Sequence, residues 1–153
     1  MSFAVDKDNL NIKKGNIARE TFEAGVYNWG SDVRIDGDAN RDAVTIEGDC
    51  DDHFVFQTTG SVLLGSSAKI LLQASSRGVS ALACTAKGLT GPQLSNIVWV
   101  VAHTVVAGTD SKLKGIFLVK EKAVFETRAS LVGRVFSQTA VTLDQVNIHS
   151  PST

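Results

Sequence analysis

The chain has no excess of either charge. Fifteen Lys and Arg stand against sixteen Asp and Glu, a formal net charge of −1 over 153 residues. A nucleic-acid or membrane-surface role needs a basic face, so this balance argues against both. Long hydrophobic runs are missing as well. The longest, Ile97-Val98-Trp99-Val100-Val101-Ala102, falls far short of the ~18 apolar residues of a membrane span. The start, Met1-Ser2-Phe3-Ala4-Val5-Asp6, lacks the basic and apolar regions of a signal peptide. Cysteine is scarce. Cys50 and Cys84 allow one bridge or two separate reduced thiols, and neither their number nor their spacing suggests a metal site. Two prolines and thirteen glycines beside many Val, Thr and Ser residues point to β structure. The length suits one domain that buries a sizeable core without staples.

Enzyme signatures are also missing. There is no Gly-x-Ser-x-Gly elbow and no phosphate loop, and no spacing of Ser, His and Asp singles out a nucleophile and base. Asp36, Asp38, Asp42, Glu47, Asp49, Asp51 and Asp52 crowd one acidic stretch. It matches no EF-hand spacing, so it reads as a solvated turn rather than a calcium loop. His53, His103 and His149 lie too far apart in sequence to suggest a shared metal. No catalytic residue, metal or cofactor is expected.

What the sequence does contain is a repeat. Phe117 follows Trp99 by eighteen residues and Val135 follows Phe117 by eighteen, with Gly115 and Gly133 keeping the same spacing. Val98-Trp99-Val100-Val101 sits over Ile116-Phe117-Leu118-Val119 and then Arg134-Val135-Phe136-Ser137. Thr104-Val105-Val106-Ala107 matches Lys122-Ala123-Val124-Phe125 and Ala140-Val141-Thr142-Leu143. A third strand recurs at Lys112-Leu113-Lys114, Ser130-Leu131-Val132 and Ile148. An earlier rung runs Val55-Phe56-Gln57, Ser61-Val62-Leu63-Leu64, Lys69-Ile70-Leu71-Leu72, and Trp29 through Ile35 supplies a less complete one. Between Leu72 and Asn96 lies an excursion with Gly78, Gly88, Gly91 and Pro92, in which Val79–Cys84 suits a helical turn.

Three short strands per eighteen residues fit a triangular β-solenoid of about four to five rungs, stacked at ~4.8 Å. Residues 22–149 form that solenoid, 1–21 read as an arm or cap, and 150–153 as a tail. On the middle strand, Val33, Val62, Val105, Ala123 and Val141 make one inward column. Ile35, Leu64, Ala107, Phe125 and Leu143 make another. The first strand is apolar on both parities, as in a strand buried on both sides. A cover is expected for it: the excursion, the N-terminal arm or another subunit.

At several segments the chain resembles the microbial ice-binding proteins with a right-handed β-solenoid fold. They are Gly25-Val26-Tyr27-Asn28-Trp29, Phe54-Val55-Phe56-Gln57, Asn96-Ile97-Val98-Trp99, Gly115-Ile116-Phe117-Leu118, Ala129-Ser130-Leu131-Val132-Gly133-Arg134 and Gln138-Thr139-Ala140-Val141-Thr142-Leu143-Asp144. The resemblance implies an ice surface as partner, a secreted protein, and adsorption through a flat β face. The family's further N-terminal coils and long helix are not visible here, so the apolar first strand is expected to lack that cover and to favour a homo-oligomer.

In that family the ice face often carries Thr-Ala/Gly-x-Thr. Rigid small hydroxyls and methyls order water in a lattice and release hydration, which tall charged side chains disturb. Only the last rung keeps the pattern, as Thr139, Ala140, Val141 and Thr142. The outward positions read Asp32, Ser61, Thr104, Lys122, Ala140 and Arg34, Leu63, Val106, Val124, Thr142. The ice-binding candidates are therefore Ser61, Leu63, Thr104, Val106, Val124, Thr139, Ala140 and Thr142, interrupted by Asp32, Arg34, Glu121 and Lys122. Asp32 and Glu121 stand about three rungs apart, too far for joint acid–base work. The alternative is a structural or self-associating interaction module on the same solenoid.

Overall fold

A computed structural model of the chain describes residues 7–36, 43–75, 84 and 86–150. The chain winds as a right-handed β-solenoid in which every strand pairing is parallel. Short 3-10 turns at Lys7–Asn9 and Ile12–Gly15 lead to β1 (Thr21–Phe22). The next coil holds β2 (Gly25–Trp29), β3 (Val33–Ile35) and β4 (Val44–Gly48). After it come β5 (Phe54–Thr58), β6 (Val62–Leu64) and β7 (Ile70–Ala74). Past the excursion the coil resumes with β8 (Ile97–Val101), β9 (Val105–Ala107), β10 (Lys112–Val119), β11 (Lys122–Phe125), β12 (Ser130–Ser137), β13 (Ala140–Leu143) and β14 (Asn147–His149).

Three faces result. The first face stacks β2, β5, β8 and the later halves of β10 and β12. The middle face stacks β3, β6, β9, β11 and β13 in one five-stranded sheet. The third face begins with β1, β4 and β7 and continues, through a bridge from Lys69 to Lys112, into the early halves of β10 and β12 and then β14. The third strand of one rung and the first strand of the next, expected as separate, run together in β10 and β12. Gly115 and Gly133 make the bend inside them at φ of 116° and 144°. A Cβ on Gly133 would lie 1.9 Å from the Gly115 carbonyl oxygen, so only glycine lets the two turns nest.

The register follows the eighteen-residue reading. Phe56 pairs with Trp99, Trp99 with Phe117 and Phe117 with Val135. Below Phe56 the column continues in Tyr27, with Trp29 at the far end of the same strand. The Tyr27, Phe56, Trp99 and Phe117 rings stack with centroids 5.4, 4.3 and 5.5 Å apart. Each such pair adds about 0.5–1.5 kcal/mol beyond simple burial. On the middle face Val33, Val62, Val105 and Ala123 are buried, as are Ile35, Leu64, Ala107 and Phe125. The two inward columns fail at the last rung, where Val141 and Leu143 are 41% and 51% exposed. Both keep the inward parity, but among the described residues no coil stacks above them.

Residues 7–22 form an abbreviated coil beneath the solenoid. Leu10 bridges to Asn28, Asn16 to Arg34, and β1 pairs with β4. The boundary drawn between residues 21 and 22 thus falls inside β1. β4, at Val44-Thr45-Ile46-Glu47-Gly48, was read only as part of the acidic stretch. It is a strand with Val44 and Ile46 buried on the inward parity. Asp38 and Asp42 lie outside the described residues, as does Val79–Ala83 of the expected helical turn. Cys84 and Ala86 are helical.

Cys50 and Cys84 form a disulfide. With the bond from Asn96 Nδ2 to the Cys50 carbonyl (3.1 Å) it ties the excursion to the corner between the third and first faces. The N-terminal coil stacks below the first face and does not lie across it. Leu118 and Phe136 therefore stay exposed on that face, at 37% and 55%.

Candidate functional site

The middle face is flat because its strands pair in parallel register and its corners repeat. Arg34, Leu63, Val106, Val124 and Thr142 form one outward column through successive Cα pairings. Beside it stand Asp32, Ser61, Thr104, Lys122 and Ala140. Backbone bonds weld the rungs at this edge: Val33 N–H donates to the Ser61 carbonyl (2.8 Å) and Val62 N–H to the Thr104 carbonyl (3.0 Å). The centre is low and half-buried, with Ser61, Leu63, Thr104, Val106 and Val124 all partly covered by neighbours. Ala140 and Thr142, on the last rung, are exposed.

Not every candidate offers its polar group to solvent. The Ser61 hydroxyl oxygen accepts from Thr104 N–H (3.2 Å). The Thr104 hydroxyl leans toward Glu121 Oε2 at 3.4 Å. The Thr139 hydroxyl donates to the Glu121 carbonyl (2.7 Å), which makes Thr139 a corner residue at the edge of the face. Thr142 sits on the outward column of β13, where its hydroxyl and methyl face out with the side chains of Val124 and Val106.

Two of the four charges that interrupt the array are drawn into corners. Asp32 Oδ1 accepts from Ser61 N–H at 2.8 Å. Its carboxylate lies over Gly60, where a Cβ would come within 2.5 Å of it. Glu121 binds His103 Nδ1 at 2.9 Å. That contact holds the Glu121 carboxyl below the usual glutamate range, against the opposing effect of desolvation. Lys122 and Arg34 stand exposed on the outward columns. At the opposite corner, Arg128 Nε and Nη2 donate to the two Asp110 oxygens at 2.7 and 2.8 Å, holding the Asp110 carboxyl down and the guanidinium up. Both residues adopt positive φ, a turn conformation repeated from rung to rung at Ser67 and Gln145.

A second feature lies on the first face, the apolar face for which a cover was expected. On the first face a groove of about 590 Å³ is lined by residues including Asn28, Gln57, Val100, Leu118 and Phe136. Gln57 is 8% exposed, and its Nε2 has no hydrogen-bond partner. The sequence signals were a first strand apolar on both parities in the later rungs and Gln57 among the apolar residues of β5. Cys50, Asp51 and Cys84 come within 4.8 Å of one another, but sulfurs bonded to each other offer no thiolate to a metal.

The sequence model described as ice-binding-like matches residues 2–149. The chain belongs to this ice-binding-like family. It is 35% identical over 149 residues to an ice-binding protein of Colwellia sp, covering 97% of this chain and 50% of that one. It is 31% identical over 147 residues to an ice-binding protein of Flavobacterium frigoris, covering 96% and 46%. The structure of an ice-binding protein from an Arctic yeast, solved to explain its antifreeze activity, superposes with a TM-score of 0.79 at 28% identity. That superposition covers 98% of this chain and 56% of the yeast protein. The chain spans about half the length of the curated relatives it matches.

Proposed function

We propose that the chain binds ice, without catalysis, by adsorbing through its middle face. The observation that carries this is the run of four outward residues Leu63, Val106, Val124 and Thr142 on four of the five strands of the middle face, in register beside Ser61, Thr104 and Ala140. Such a surface presents methyls and hydroxyls at the ~4.8 Å strand spacing, rigidly enough to hold ordered water. The match to a family whose relatives are ice-binding proteins supports the same reading. The Cys50–Cys84 disulfide supports placement in an oxidising, extracellular compartment. The near-zero net charge gives no attraction to nucleic acid or anionic membrane. Among the described residues no helix is long and apolar enough to cross a membrane.

Ice recrystallisation inhibition and thermal hysteresis test the reading directly. Grains that coarsen as fast as in a control protein overturn it. Thr142→Tyr raises a bulky ring on the outward column and is expected to abolish most of the activity while leaving the fold intact.

A second reading keeps the solenoid as an interaction module that self-associates through the first face. It is favoured by the buried, unpartnered Gln57 amide in a groove walled by Val100, Leu118 and Phe136. On that reading Thr142→Tyr changes nothing, and Val100→Lys alters the oligomeric state.

A further inference from the structure

The corner where the first face turns into the middle face is held by the backbone of Glu121 and not by its side chain. The Glu121 N–H donates to the His103 carbonyl at 3.0 Å. Its own carbonyl accepts from the Thr139 N–H (3.1 Å), from the Thr139 hydroxyl (2.7 Å) and from the Ser137 hydroxyl. The carboxylate takes no part in these bonds and reaches back to the rung below.

Its two oxygens divide there. Oε1 lies 2.9 Å from His103 Nδ1, and Oε2 lies 3.4 Å from the Thr104 hydroxyl. Nδ1 carries a proton when it approaches a carboxylate this closely, and it can do so as the imidazolium or as one neutral tautomer. His103 thereby fixes the first oxygen and turns the second toward the outward array. The contact also keeps the Glu121 carboxyl below the usual glutamate range, so the charged form, the stronger acceptor, is present through neutrality.

Thr104 differs in this from the positions beneath it in its column. Asp32 Oδ1 and the Ser61 hydroxyl oxygen each accept the N–H of the next rung, at 2.8 and 3.2 Å. The Thr104 hydroxyl instead commits its proton to a carboxylate at the edge of the face. Threonine has few χ1 wells, and rotation among them exchanges the hydroxyl and the methyl. A bond to Oε2 therefore selects one well and decides which group Thr104 can turn to a flat lattice.

We infer that Glu121 is a positioning residue for the ice contact: oriented by His103, it withholds the Thr104 hydroxyl from the lattice and restrains the activity of the middle face. The inference rests on the proposal that this face adsorbs to ice. It gives Glu121 a role that its exposed place at the edge of the array does not suggest.

Glu121→Ala removes the acceptor and leaves the backbone bonds of the corner. With the circular dichroism of the fold retained, it should lower the concentration that inhibits ice recrystallisation about threefold, the factor a single exposed pair supplies. Thr104→Val deletes the hydroxyl, and in that background Glu121→Ala should change nothing. Three-bond NMR couplings should report one χ1 rotamer for Thr104 in the parent chain and an average in Glu121→Ala, with Thr45 on the third face unchanged. Equal or lower activity in Glu121→Ala overturns the inference. So does an equal gain in the Thr104→Val background, which makes the charge itself the obstacle, and so do Thr104 couplings that are the same in both chains. Absence of ice activity from the parent and every variant defeats the ice reading itself, whatever the couplings show, and this inference with it.

Discussion

On the middle face, side-chain height and charge decide which residues can meet a flat lattice. Lys122 stands between Thr104 and Ala140 on the outer column and carries a long hydrated ammonium. Lys122→Thr replaces it with a hydroxyl and a methyl on a strand that favours threonine. Thermal hysteresis should rise in this variant. An unchanged or lower value means Lys122 lies outside the contact. Asp32 shows what the sequence hid. Residue by residue it reads as a charge breaking the array, but Gly60 of the next rung leaves room for its carboxylate to turn back onto Ser61 N–H. That relation joins positions in different coils and leaves no local mark. The two lowered carboxylates set the acid behaviour. A depressed carboxyl contributes stability that is fully present above its unfolded value and is lost as pH falls through its folded one. Asp110, held by Arg128, and Glu121, held by His103, therefore stabilise the fold at neutral pH and lose that contribution as pH falls below the ordinary carboxylate range. Both are exposed, so the effect is small. In Tm measured against pH, Asp110→Asn/Glu121→Gln should flatten the acid limb and leave its shape near pH 7 unchanged.

At the scale of elements, the bends and the staple carry more than their number suggests. Gly133→Ala would press a methyl against the Gly115 carbonyl at a φ that side chains rarely adopt. The loss should be about 3 kcal/mol or more, read as a shifted midpoint in denaturant. The spacing of Gly115 and Gly133 was visible in sequence, but their place inside continuous strands was not. Reducing the disulfide between Cys50 and Cys84, 34 residues apart, frees a loop worth about 3–4 kcal/mol of denatured-state entropy. A reductant should lower Tm by several degrees, and an unchanged Tm would mean the excursion is held by packing alone. The strands with in-register Val, Phe and Trp were legible because parallel stacking repeats both residue type and parity. β4 was hidden because its Val44 and Ile46 alternate inside a run of carboxylates. The N-terminal coil was hidden because it is built from turns and single bridges, which need no periodic apolar residues.

A solenoid is held rung by rung, so its stability is distributed along its axis and not pooled in one core. The middle rungs are sandwiched on both sides and contain the Phe56–Trp99–Phe117 stack. Among the described residues the last rung has a neighbour on one side only, and its inward Val141 and Leu143 are exposed. Amide hydrogen exchange should therefore be slowest in β8 and β10 and fastest in β13 and β14, where opening costs only one interface. This gradient meets the function at an awkward place. The Thr139-Ala140-Val141-Thr142 segment, with the best small-residue pattern, lies on the rung with the least support, while an ice contact needs a rigid surface. Protection at Val141–Leu143 close to that of β8 would place the ice contact on the last rung, whereas exchange there as fast as in the corner turns would leave that rung frayed and centre the contact on Ser61, Leu63, Thr104 and Val106.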